Sequence, residues 1–196
     1  MNRLGTPRAA HRAARAIFIV MNFSEPKSNV LQIGLKEGMK VGDLGAGSGH
    51  YAVAAASVVG ETGHVYAVDI QEDILKRVRD LAHERGLKNL STIWGNFEKL
   101  GGTTLRDHTL DAAILSNTLF QLEHREGALE EIRRILKPGG RLLVIDWAGA
   151  YGGMGPAPHQ VVPEHAAEEL FIGGGFHKTK AFRAGPHHYS ILFTAP

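Results

Sequence analysis

The sequence has 196 residues, enough for one domain with a sizeable core. It contains no cysteine, which excludes disulfides, thiolate zinc sites and a cysteine nucleophile. Its net charge of +2 is too small for a global nucleic-acid footprint.

The charge is uneven. Residues 1–23 carry Arg3, Arg8, Arg12 and Arg15 and no acid, which leaves the rest of the chain at a net −2. This stretch reads as a basic N-terminal arm or helix that Ile17, Phe18, Val20 and Met21 could pack on the body. A lid over a ligand site and a solvated tail touching RNA or acidic surfaces are both open readings. Ala16–Met21 imitates the apolar part of a signal peptide, but it is shorter and no small-residue cleavage site follows, so the expected location is cytoplasmic. No stretch approaches the ~18 apolar residues of a membrane span.

Ser24-Glu25-Pro26 has the form of a helix start, and the helix is expected to run to Ile33. Gly34 and Gly38 then lead into an apolar run, Met39–Leu44, the first strand. Gly45, Gly47 and Gly49 follow, and Tyr51–Val59 reads as helix, so the unit is strand, glycine turn, helix. The free N–H groups opening such a helix make an electropositive cradle for a nucleotide-like ligand. The dinucleotide fingerprint G-x-G-x-x-G would put its third glycine at position 50, where His50 stands. Asp43, two residues before the first glycine, would repel a pyrophosphate and suits a ligand with a cationic amino group. A purely structural turn and a degenerate NAD site are the alternatives at this point.

Glu61-Thr62-Gly63 turns the chain into His64–Ile70, an apolar run of the kind found in buried parallel strands. Asp69 lies near its end, where an acid can hold ribose hydroxyls or cap the next helix, Gln71–Arg85. Gly86 closes that helix, Leu90–Trp94 is the third strand, and Gly95-Asn96-Phe97-Glu98 follows it. Leu110–Leu115 is the fourth strand, with Ser116-Asn117-Thr118 at its end. Glu123–Leu136 is an amphipathic helix, Lys137-Pro138-Gly139-Gly140 stops it, and Arg141–Trp147 is the fifth strand. Residues 148–163 lack periodicity and read as part of a substrate lid. Glu164–Ile172 is a short helix, and Phe176–Arg183 and His188–Thr194 form an antiparallel pair joined by residues 184–187. The alternation of strand and helix implies a doubly wound α/β sheet in one domain, residues 24–196, with ligands at the carboxyl ends of the strands.

The stretch D-L-G-A-G-S-G, residues 43–49, resembles motif I of the class I S-adenosylmethionine (SAM)-dependent methyltransferases. L-K-P-G-G-R-L-L-V, residues 136–144, carries the same resemblance, which covers roughly residues 25–147 well and the tail loosely. It implies a Rossmann-like, mostly parallel seven-stranded sheet with an antiparallel last strand, SAM as cofactor and S-adenosylhomocysteine as product. By resemblance, the methionine moiety lies near Asp43, Gly45 and Gly47, Ala46 and Gly49 belong to the same cofactor-binding turn, and Tyr51 touches the carboxylate or seals the pocket. Asp69 takes the ribose, Ile70 packs on adenine, Asn96 and Phe97 flank the base, and Ser116 stands at the methyl-transfer side. Candidates for acceptor handling are Asn117, Phe120, Gln121, Asp146, Tyr151 and His159. No metal site is expected.

Related small-molecule methyltransferases often carry a histidine pair where Phe120-Gln121 stands, which weakens the case for a histidine base. The architecture resembles ubiquinone/menaquinone-type and arsenite-type enzymes, but thiol-dependent arsenite chemistry has no cysteine to use. The resemblance implies methyl transfer to a small-molecule acceptor. A nucleic-acid methyltransferase is the alternative, supported by the arginine arm and by Val59–Asp69. Against it, Ser-Asn-Thr-Leu occupies the place of an Asn/Asp-Pro-Pro-aromatic motif after strand four. A non-catalytic SAM-binding protein is a third reading, and an oligomer is left open.

Overall fold

The computed structural model describes residues 25–196, so the expected basic arm lies outside the described residues. A short helix α1 (Pro26–Leu31) precedes alternating strands and helices. These are β1 (Lys40–Leu44), α2 (His50–Val59), β2 (His64–Asp69), α3 (Glu72–Glu84), β3 (Leu90–Trp94) and β4 (Leu110–Ser116). A 3₁₀ turn (Leu119–Gln121), α4 (Arg125–Ile135), β5 (Leu136–Trp147), α5 (Glu164–Gly173), β6 (His177–Gly185) and β7 (His188–Thr194) complete the chain. The strands form one seven-stranded sheet in the order β3-β2-β1-β4-β5-β7-β6. The first five are parallel, and β7 lies antiparallel between β5 and β6.

Both faces of this sheet are covered, which is why its central strands read as continuous apolar runs. Alternate residues of β4 go to opposite cores. Ala112 and Ile114 join the α1–α2–α3 side with Val30, Ala55 and Val78, whereas Ala113 and Leu115 join the α4–α5 side with Ile132 and Phe171. The order reverses between β1 and β4, so the crevice expected of a doubly wound sheet opens beside the carboxyl ends of these two strands.

Several boundaries differ from expectation for local reasons. Helix α1 stops at Leu31 rather than Ile33, where the N–H groups of Gln32, Ile33 and Gly34 turn back three residues to Asn29, Val30 and Leu31, and the Arg141 guanidinium donates to the carbonyls of Ile33 (2.7 Å) and Gly34 (2.6 Å) just beyond. The Lys-Pro-Gly-Gly stretch interrupts the β5 ladder without ending it. Leu136 pairs with Leu110 and Arg141 with Ala112, so the intervening residues form an irregularity inside a longer strand. Gly140 and Gly139 there exchange hydrogen bonds with Ala195. Strand β6 extends to Gly185, which leaves Pro186-His187 as the turn.

Residues 148–163 form no helix or strand beyond a bridge between Tyr151 and Met154. They are fastened to the β5–β7 edge. The Tyr151 ring lies 4.2 Å from that of His187, Gly155 sits against the Trp147 indole, and the Tyr189 hydroxyl donates to the Val162 carbonyl at 3.1 Å. No helix among the described residues is long and apolar enough to cross a membrane.

Candidate functional site

The turn after β1 is built by backbone geometry. Gly45 takes φ +74°, and the N–H groups of Gly45 and Ala46 both donate to the Val68 carbonyl, at 2.9 and 3.0 Å. An added Cβ on Gly45 would lie 2.7 Å from the Thr118 side chain, so glycine is required by conformation and by the close approach of the β4 end. Gly49 (φ +76°) caps α2 and packs against Val78.

Two buried acids flank the turn. Asp43 is 2 % exposed; the Ala52 N–H donates to it, but its Oδ2 has no partner. Burial, together with the nearby charge of Asp69, pushes its carboxyl up to about 7 against that hydrogen bond. Asp69 accepts the N–H of Gly47 at 3.2 Å and that of Gln71 at 3.0 Å. It therefore braces the glycine turn and holds the backbone at Gln71, the residue before α3, and each oxygen keeps lone-pair capacity for a ligand.

Farther along, Asn96 Oδ1 accepts the Glu98 N–H at 2.8 Å, which fixes its side chain and leaves the amide N–H₂ to donate. Phe97 is buried in the α4–α5 core and reaches the cavity wall from there. Ile70 is 59 % exposed at the rim, and the Trp94 Nε1–H donates to its carbonyl at 3.0 Å. The Tyr51 hydroxyl accepts from Asn29 Nδ2 at 3.0 Å, and Asn29 also donates to the Ala184 carbonyl at 2.9 Å, tying α1, α2 and β6 together.

These groups surround one cavity of about 940 Å³. Of the residues singled out from the sequence, Asp43, Gly45, Ala46, Gly47, Tyr51, Asp69, Ile70, Asn96, Phe97, Ser116, Asn117 and Gln121 line it. The others do not reach its wall. Gly49 is turned to Val78 and acts through the turn. Asp146 is fully buried behind the 3₁₀ turn, where it accepts the N–H groups of Trp147 (2.7 Å) and Phe120 (3.3 Å). Burial pushes its carboxyl up to about 6 against those bonds. Tyr151 is folded against His187, and His159 is exposed on the outer segment. Phe120 packs toward the α4–α5 core.

Sequence reasoning missed Ser48, His50, Gln71, Glu98, Thr118 and Leu122, and an outer arm of the cavity along Lys27, Ala54, Ser57, Leu81 and Arg85. The first group are neighbours of motif residues and could have been found by adjacency. The outer arm is made by α1, α2 and α3 meeting, and no local pattern encodes it. Among the described residues no group of three or more histidines and acids stands close enough to hold a metal.

The donor set fits SAM. An unpartnered buried carboxylate oxygen beside a glycine turn suits an ammonium group, and it opposes a phosphate. Asp69 offers acceptors for two ribose hydroxyls, and Asn96 offers a polar edge for the base. A methyltransferase-domain family profile matches residues 35–180. The ubiquinone/menaquinone biosynthesis C-methyltransferase UbiE of Haemophilus ducreyi is 35 % identical over 116 residues, which is 59 % of this chain and 44 % of that protein. The chain thus spans less than half the length of the curated relatives it matches. A SAM-dependent methyltransferase from Aquifex aeolicus superposes with a TM-score of 0.81 at 29 % identity, covering 88 % of this chain and 90 % of that one. A type 11 methyltransferase structure from Sulfolobus solfataricus, at 22 % identity, shares the fold with a TM-score of 0.70 over 88 % and 92 % of the two chains. With the profile running from the loop before β1 to β6 and the cavity chemistry matching the cofactor, this chain belongs to the methyltransferase-domain family, among the class I SAM-dependent methyltransferases.

Proposed function

We propose that the protein transfers a methyl group from SAM to a small-molecule acceptor by in-line displacement. The observation that carries the reading is the change in character along the cavity wall. The β1–β2–β3 end presents the acids and amides that suit a cofactor. The β4 end presents Ser116, Asn117, Thr118, Gln121 and Leu122, all uncharged.

When bound, SAM supplies a methyl already activated on a sulfonium. The protein's share is then alignment and exclusion of water, which can be worth ~7–11 kcal/mol. Asp43 and the glycine turn would hold the amino-acid end, and Asp69 and Asn96 the nucleoside. The β4 end, braced by Asp146 through the Phe120 N–H and by Gln121 through the Asn117 carbonyl at 2.9 Å, would present the acceptor. The relative from Haemophilus ducreyi is a C-methyltransferase of quinone biosynthesis, so acceptors with an activated ring carbon come first in a screen. A cytoplasmic location belongs to the same reading.

Calorimetry with SAM, S-adenosylhomocysteine and NAD tests the cofactor, and S-adenosylhomocysteine formation across an acceptor panel tests the reaction. Saturable SAM binding without NAD binding, followed by acceptor-dependent turnover, is the expected result. A preference for NAD would overturn it. Salt-sensitive RNA binding lost on removing residues 1–16 would favour a nucleic-acid acceptor instead.

A further inference from the structure

Helix α2 stands in an outer layer of the fold without a solvent face. Its ten residues include no lysine, arginine, aspartate or glutamate, whereas its neighbour α3 turns Lys76, Arg77, Arg79 and Asp80 to solvent. Ala52, Ala55, Ala56 and Val59 bury one side of α2 in the core. The other side keeps Val53, Ala54 and Val58 half-buried and Ser57 exposed. A helix that is apolar all round is ordinarily covered all round, so this face lacks a cover. The outer arm of the cavity runs along it. Ala54 and Ser57 line that arm from α2, Ile74 and Leu81 from α3, and Pro26 and Lys27 from α1.

The chain carries an occupant of matching chemistry beside this groove. Residues 1–24, outside the described structure, lead directly into Pro26 on its rim. Ile17-Phe18-Ile19-Val20-Met21-Asn22-Phe23 has six large apolar residues in seven and ends three residues before Pro26. Nine residues separate Ile17 from Pro26, a reach of up to ~30 Å, and the ten residues of α2 are ~15 Å long. Charge agrees with the placement. Arg3, Arg8, Arg12 and Arg15 precede the apolar run, and the rest of the chain carries a net −2. Asp73, Asp80 and Glu84 are exposed on α3, each one residue before a residue of the groove wall, Ile74, Leu81 and Arg85.

We propose that residues 17–23 dock along α2 in the groove between α1 and α3, with the arginines before them meeting the acids of α3. The docked segment covers the apolar face of α2 and steadies the helix that Gly49 opens. The docking does not depend on which acceptor the cavity takes.

Hydrogen exchange on the full-length protein tests it, with a peptide of residues 1–24 as the unprotected reference. Residues 17–23 should exchange about tenfold or more slowly in the protein than in the peptide, at every protein concentration. Ser57→Arg sets a charge in the groove at an exposed position that the fold tolerates, and circular dichroism checks that it does. It should bring residues 17–23 to the peptide rate and speed exchange in α2. Val20→Asp, on the segment itself, should speed exchange in α2 equally. The peptide rate in wild type would overturn the proposal. Protection that survives Ser57→Arg would overturn it by moving the segment to another surface, such as the mouth of the cavity. Protection that grows with protein concentration would overturn it by making a second copy the occupant.

Discussion

Asp69 accepts the Gly47 N–H at 3.2 Å, so the end of β2 braces the turn that follows β1. One carboxylate thereby fixes the shape of the glycine turn and offers acceptors beside it. Asp69→Ala removes both. A hydrogen bond to a charged group contributes about 1.5–3 kcal/mol, so S-adenosylhomocysteine affinity should fall roughly ten- to hundredfold. Asp69→Asn, which keeps one acceptor oxygen, should lose less. Calorimetry on variants whose circular dichroism matches wild type checks this; full affinity in Asp69→Ala would remove the ribose from β2.

The contact between Gly45 and Thr118 gives a second test. Gly45→Ala forces a left-handed alanine, at ~1–2 kcal/mol, and drives its Cβ to 2.7 Å from the Thr118 side chain. The variant should melt lower and bind SAM weakly. Adding Thr118→Ala relieves the clash and leaves the backbone strain, so the pair should recover part of the loss. A double-mutant cycle in urea measures the coupling, and strictly additive effects would mean the two strand ends do not touch in solution.

The difference between these two residues shows what was legible in the sequence. Gly45, Asp43 and Asp69 announce themselves because strand, turn and helix are local, and the chemistry sits at fixed offsets from them. The doubly wound character of the sheet follows from the same alternation, whereas its antiparallel last strand was implied by the family resemblance. Thr118 carries no such sign, because its importance comes from the approach of β4 to β1 across more than seventy residues. Asp146 reads from the sequence as a base, a substrate ligand or a buried, hydrogen-bonded acid at a strand end. An acid at the carboxyl end of a central strand has the right address for a site, but here backbone N–H groups claim it. Tyr151 and His159 do not line the cavity, since the segment that holds them is tied to the β7 edge.

Asp43 predicts a pH dependence whose sign can be worked out. Its carboxyl is ordinarily near 3.8 and burial pushes it up to about 7. Between those values the folded protein holds a proton that the unfolded chain has released, so the stability of the free protein declines as pH rises from about 4 to about 7 and is level above. Asp146, pushed up to about 6, adds a slope of the same sign that ends earlier. Asp43→Asn should therefore flatten the stability profile between about 6 and 7. A cationic ligand beside Asp43 favours the carboxylate, so binding should release a proton below pH 7, and affinity should rise with pH toward that value. Titrations in buffers of different ionisation heat detect the proton. Its absence in wild type would separate Asp43 from the ligand's charge.

Glu131 tests how the nucleoside end is held from a distance. It is fully buried and accepts from the Gly101 N–H (2.7 Å), from the Thr103 N–H (3.1 Å) and hydroxyl (2.5 Å), and from Arg134 Nε (2.8 Å) and Nη2 (2.7 Å). The loop it fastens packs back on Asn96, where a Cβ on Gly102 would sit 2.0 Å from the Asn96 carbonyl oxygen. Breaking a buried pair on one side costs about 3–5 kcal/mol, and Glu131→Ala should approach that. Glu131→Gln should lose less stability but still loosen Asn96 and weaken S-adenosylhomocysteine binding. Burial alone would raise the Glu131 carboxyl, but the bonds from Arg134, Thr103 and Gly101 outweigh it and bring it down to about 2. Its contribution is therefore complete above about 4.5 and lost as pH falls through about 2. In urea unfolding, the stability gap between wild type and Glu131→Gln should be constant near neutral pH and close as the solution is acidified below about 4.5. A gap that stays the same at pH about 2.5 would show that shape, and not charge, holds this loop against the site.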